Sequence, residues 1–169
     1  MSLPPIMLGG VPIVLHAAAP VETIEAMGGW SLLRLSNGAA VRQTHWDRHA
    51  GSISAEGFMP PGLDGLDYSL PLELRSTKVQ SIVGAGLVFT LTSTPRPDVP
   101  VWAEALIGRQ WVRTPVVVDD GVATVTAAAG ATLYRCCWRP VFSVFAQRPS
   151  ESQDNATNMH GWSLTWEEA

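Results

Sequence analysis

The stretch WSLLRLSNGAAVRQTHWDRHAGSISAEGFMPPGLDGLDYSLPLELRS, residues 30–76, decides the fold class. Short alternating segments in it are divided by turn signals at intervals of about ten residues, the pattern of an antiparallel, mainly β protein. Residues 30–36 and 40–46 read as strands on either side of Ser36-Asn37-Gly38, whose Asn-Gly supplies the left-handed conformations that a tight hairpin needs. Residues 52–58 read as a third strand, and residues 59–68, rich in Pro, Gly and Asp, as a compact connection. In the strand at 70–75, Leu70, Leu72 and Leu74 fall on one face and Glu73 and Arg75 on the other, with Pro71 marking an edge.

Working outward, residues 161–168 (GWSLTWEE) alternate as a core strand does, so the end of the chain is expected to pair with a strand earlier in it. Residues 1–29, with many Pro, Gly and Ala, read as an extended N-terminal arm carrying one strand at 11–16, able to lie on a neighbouring subunit. Residues 80–92 alternate, and Pro95-Arg96-Pro97-Asp98-Val99-Pro100 then breaks the chain. Residues 101–111 fit a strand or a short helix equally well. Residues 114–118 and 122–127 form a hairpin about Asp119-Asp120-Gly121, and 131–146 a long strand broken at Arg139-Pro140. The polar residues 147–160 read as a surface loop. The expected architecture is an antiparallel split β-barrel or sandwich formed by residues 1–92 and 141–169, with a small β-rich insertion at 93–140.

Composition narrows the function. The chain has 169 residues, 46% hydrophobic and 15% charged, with no apolar run long enough for a membrane helix, so a single soluble folding unit is expected. A net charge of −4 and a pI near 5.5 argue against a nucleic-acid partner, which needs a basic stripe. Lys78 is the one lysine, against ten arginines, and there are seven tryptophans. Arg and Trp are the residue types that anchor protein interfaces. The candidate interface residues are Trp30, Arg34, Trp46, Arg48, Trp102, Trp111, Trp162 and Trp166. Cys136 and Cys137 are adjacent and point to opposite faces of a strand, so they form no structural bridge and indicate a reducing compartment. Met1-Ser2-Leu3-Pro4-Pro5 does not read as a secretion signal, which leaves the sequon Asn155-Ala156-Thr157 without consequence.

Every candidate for chemistry lacks a partner or a geometry. His45 and His49 have the spacing of helical metal ligands, but Trp46 stands where a zinc protease has its glutamate, and on a strand the two lie about 13 Å apart. Asp64 and Asp67 sit in Gly62-Leu63-Asp64-Gly65-Leu66-Asp67, a turn without the alternating ligands of a calcium loop. Glu167 and Glu168 face opposite sides of a strand. No oxyanion turn or nucleophile elbow surrounds Cys136 or Cys137, with His160 the nearest candidate base in sequence. Gly84-Ala85-Gly86 is too short for a nucleotide loop, and both Gly-x-Ser-x-Gly and the P-loop are absent. No enzymatic activity, metal or cofactor is expected.

Leu33-Arg34-Leu35-Ser36-Asn37-Gly38, Gly62-Leu63-Asp64-Gly65-Leu66-Asp67-Tyr68 with Leu72-Glu73-Leu74-Arg75, and the terminal Gly161-Trp162-Ser163-Leu164-Thr165-Trp166-Glu167-Glu168 resemble tail and baseplate proteins of tailed bacteriophages in layout and texture. The resemblance implies a tail-tube or distal-tail type of split barrel with a small inserted domain. It also implies a structural subunit, made in the host bacterial cytoplasm, that assembles into a homo-oligomeric ring around the tail channel and joins other tail and baseplate proteins of the virion. Two other readings compete with it. One is a carbohydrate-binding β-module using Trp30, Trp46, Trp102 or Trp111 as stacking platforms. The other is a hydrolase whose site joins His45, His49 or His160 to an acid.

Overall fold

The computed structural model describes residues 3–169, apart from the side chain of Leu15; Met1 and Ser2 of the expected arm lie outside the described residues. The structure is mainly β, with several antiparallel sheets and no α-helix among the described residues. In chain order the elements begin with β1 (Met7–Leu8), β2 (Val11–Pro12), a 3-10 turn (Leu15–Ala17), β3 (Val21–Arg34) and β4 (Ala40–Gly57). Next come β5 (Leu72–Arg75), β6 (Gln80–Gly84), β7 (Val88–Thr90), β8 (Thr94–Pro95), β9 (Trp102–Ile107) and β10 (Gln110–Thr114). The chain continues through β11 (Val116–Asp119), β12 (Val122–Val125), β13 (Ala131–Trp138), β14 (Pro140–Ala146), β15 (Ser150–Gln153) and β16 (His160–Glu168). Strand orders are open, and no closed barrel is formed among the described residues.

The chain divides into two compact units, the first made of Met1–Met7 with Glu73–Phe142 and the second of Leu8–Leu72 with Ser143–Ala169. The segment 93–140, read from the sequence as an insertion, lies inside the first unit, which also takes in residues 73–92.

In the second unit the closing strand β16 lies between β4 and β14, with β15 pairing on the β14 side. Trp162, Leu164 and Trp166 recur at period two and all face the core, at 4%, 2% and 1% exposure. Ile53, Val144 and Ala146 are buried with them, and Trp162 Nε1 donates to the carbonyl of Ala17 at 3.1 Å. The segments 40–46 and 52–58, separate in the sequence reading, are a single strand of eighteen residues. Nothing between them is a turn former strong enough to break pairing, and Asp47, Arg48, His49, Ala50 and Gly51 stay in register with Gly28, Met27, Ala26, Glu25 and Ile24. The same register makes Val21–Gly29 a strand where an arm was expected. Leu8, Ile13 and Ala17 are buried, so the preceding segment is part of the fold. The β3–β4 connection is a tight hairpin at Ser36-Asn37-Gly38, as the Asn-Gly pair predicts. It is a three-residue loop in which Gly38 donates to Leu35 at 2.8 Å with φ 80°, and Asn37 Oδ1 accepts from the Ala39 amide at 3.0 Å.

In the first unit a four-stranded sheet runs β10-β9-β13-β6 and a three-stranded sheet runs β11-β12-β7. Phe89, Ala103, Ala105, Ala123, Val125, Tyr134 and Cys136 form its buried cluster. Residues 101–111, undecided between helix and strand in the sequence, are the β9–β10 hairpin, turned at Gly108 with φ 62°. The β11–β12 turn has positive φ at both Asp120 and Gly121, the backbone of a type I′ hairpin. Cys136 and Cys137 are buried in β13, and burial together with the neighbouring Cys137 pushes the Cys136 thiol up from 9.0 to about 11. That rise alone cuts the thiolate fraction about a hundredfold, and it is the thiolate that reacts. A thiol-reagent titration at pH 8 is therefore expected to find neither cysteine in the native protein and both in denaturant.

Candidate interaction surface

The β16–β4 ladder stops at the pair Glu167 and Ala50. Past that point β3 and β4 pair only with each other among the described residues, from Ala26 opposite His49 to Arg34 opposite Ala40. The result is a two-stranded ribbon about 30 Å long, at 3.3 Å per residue. Its base is tied down by Glu168, whose Oε2 accepts from the His49 backbone N–H at 2.9 Å and lies 2.8 Å from His49 Nδ1.

The ribbon is apolar on both faces. A register shift after Gly29 puts an extra residue in β4, so that Trp46 lies opposite Gly29 and Thr44 opposite Trp30. Leu33 pairs with Val41 and Leu32 with Arg42, so successive pairs present apolar groups to opposite sides. Trp30 is 56% exposed with the Arg42 guanidinium 4.8 Å above its ring, and Leu32, Leu33, Leu35 and Val41 are exposed as well. Trp46, 47% exposed, lies against the backbone of Gly29, where a Cβ would overlap the indole. An isolated two-stranded ribbon is marginally stable in water, and this one exposes aromatic and aliphatic side chains on both faces.

At the foot of the ribbon the same unit carries a cleft of about 460 Å³. Phe145, Glu167, Ala50 and Glu25 form one cross-strand row along it. The carboxylates of Glu25 and Glu167 flank Ala50, about 10 Å apart by strand spacing. Phe145 is exposed at the rim.

On the first unit, Glu104 of β9 sits between Arg113 of β10 and Arg135 of β13. Arg135 binds Glu104 through Nε at 3.0 Å and through Nη2, and Arg113 Nε lies 3.5 Å from it. Each guanidinium also covers an indole, Arg113 over Trp102 at 5.1 Å and Arg135 over Trp111 at 4.6 Å. This face is an internally satisfied ladder of charge and aromatic stacking.

Of the residues nominated by sequence, Trp30, Arg34, Trp46 and Arg48 come together on the ribbon, and Trp102 and Trp111 on the first unit's sheet. Trp162 and Trp166 are a correction: the register with β4 turns both indoles into the core, away from the surface. The sequence reading did not nominate Leu32, Leu33, Val41, Arg42, Glu25, Phe145 or Glu167 as interface residues. The adjacent pair Leu32-Leu33 carried a signal, because two apolar residues in succession mark a strand covered on both faces. His49 meets an acid in Glu168, but the contact also engages the His49 backbone and closes the end of the sheet. The two thiols are buried in β13, and no group of three or more metal-ligating side chains occurs among the described residues. A scan against protein-family models matches none, and a search of curated proteins returns no significant match.

Proposed function

We propose that this chain is a structural subunit of a phage tail or baseplate, an antiparallel split β-barrel or sandwich with a small β-rich insertion, which assembles into a ring around the tail channel. The ribbon carries the reading. A catalytic or ligand-binding domain has no need of a projection of about nine residue pairs with bare indole and leucine side chains on both faces, whereas a subunit that must engage a neighbour does. Ring formation requires two different complementary patches on each subunit, and a protruding ribbon is one natural half of such a pair.

The sugar-binding alternative has less support. Arginines lie over one face of Trp30, Trp102 and Trp111, and Trp46 rests on Gly29, so a sugar would have at most one face of each indole. Arg–Trp pairs of this kind suit a protein interface.

Light scattering across a concentration series tests the reading. The purified chain is expected to reach a mass several times its 18.1 kDa, alone or when mixed with virion tail proteins. A species of 18.1 kDa under every condition, with tryptophan fluorescence quenched by oligosaccharides, would replace it with the sugar-binding module.

A further inference from the structure

Resting on the ring-subunit reading above, we infer that the Trp30 face of the ribbon docks in the Glu25–Glu167 cleft of a second copy of this chain. Charge complementarity identifies the occupant. The ribbon carries Arg34, Arg42 and Arg48 against Asp47, a net positive segment in a chain of net charge −4. The cleft is flanked by two carboxylates with no side-chain partner among the described residues.

The shapes also correspond. Trp30 with Arg42 stacked on it offers an aromatic plane beside a cation. The cleft offers the exposed ring of Phe145 and, between the two acids, Ala50, whose small side chain leaves room for an indole. Desolvated aromatic and arginine groups seated in such a pocket are what alanine scans find at the centre of interfaces. The ribbon is about 30 Å by 10 Å, so its Trp30 face presents roughly 300 Å², less than the ~800 Å² per partner of a stable binary complex, and the contact is expected to form only at high protein concentration.

A copy cannot fill its own cleft. Glu25 and Trp30 are five residues apart on one continuous strand, about 16 Å along it and on opposite faces. The contact must be between copies; passed head to tail from one copy to the next it is heterologous, the kind that closes into a ring when the rotation between copies allows.

The test uses light scattering on the full chain, with circular dichroism melts to verify that each variant folds; all the altered side chains belong to surface positions. Arg42→Glu alone and Glu25→Arg with Glu167→Arg are each expected to weaken association at least about thirtyfold while leaving the melt unchanged. Mixing those two proteins is expected to restore assembly, since each ribbon then meets a cleft of opposite charge. Wild type that assembles while the double cleft variant assembles equally well overturns the docking site and leaves the ring reading standing. Loss in each variant without recovery in the mixture overturns the charge pairing and with it the inference. Wild type that stays at 18.1 kDa on its own overturns the docking inference, and wild type that also stays at 18.1 kDa with virion tail proteins added overturns the ring reading as well.

Discussion

Replacing Arg96 by alanine is expected to lower the unfolding free energy by about 2–4 kcal/mol, because it removes a fully buried side chain together with charge-assisted hydrogen bonds to backbone carbonyls. Arg96 is 1% exposed and holds the first unit together from its centre. Its Nε and Nη2 bind Asp98 at 2.9 and 2.7 Å as a fork, Nη1 donates to the Ser76 carbonyl at 3.0 Å, and both terminal nitrogens reach the Pro5 carbonyl at 3.1 and 3.2 Å. Its own amide donates to Arg139 at 2.8 Å. Alanine would leave those carbonyls without their donor in a site too enclosed for easy hydration. Lysine is expected to recover less than half of the loss, since a point charge cannot reproduce the fork. Urea titrations of wild type, Arg96→Ala and Arg96→Lys, followed by circular dichroism, check the order.

The same cluster gives the protein an acid limit. Hydrogen bonds from Arg96, with Arg75 nearby, hold the Asp98 carboxyl down from 3.8 to about 2. A carboxylate whose folded pKa lies below its unfolded value binds fewer protons when folded, so its stabilisation is complete above about pH 4 and disappears as pH falls towards 2. Asp98→Asn is expected to remove that part of the acid dependence.

Strands that alternate against a core were legible in the sequence; strands that leave the core were not. Trp162, Leu164 and Trp166 sit at period two because one side of β16 faces the interior, and the turns at Gly38 and Gly121 are written in residues that tolerate positive φ. Gly28, Gly29, Asp47 and Arg48 have low strand propensity and no period. They are extended because each is paired with a partner across the ribbon, a condition no local window contains. The candidate surface was half visible for the same reason. Composition picked out Trp and Arg, but Trp30 and Trp166 look alike in sequence. Only the register with β4 puts one in water and the other in the core. Arg96 was invisible because Pro95-Arg96-Pro97 reads as a loop, while its burial depends on carbonyls contributed by Pro5 and Ser76.

Trp166→Ala is expected to cost about 3–5 kcal/mol, the range for emptying the site of a large aromatic core residue. Trp166 is 1% exposed on the closing strand, paired with Gly51 of β4. The absence of a side chain at Gly51 is what lets the indole lie there, since a Cβ at that position would stand 2.8 Å from Trp166 Cζ2. It would also fall on the backbone carbonyl of Thr23, closer still. These two obstacles predict different epistasis. Were the indole the only obstruction, Gly51→Ala would be harmless once Trp166 had been removed. Because the carbonyl belongs to the β3 backbone and remains, Gly51→Ala is expected to cost about 1–3 kcal/mol of overpacking strain. That cost should persist in the Trp166→Ala background, with the double variant close to the sum of the two single ones. Denaturant titrations of the four proteins in the cycle decide it. Rescue of Gly51→Ala by Trp166→Ala would mean that β3 can shift by the roughly one ångström needed to clear the carbonyl. The foot of the ribbon would then be held by the indole more than by the ladder.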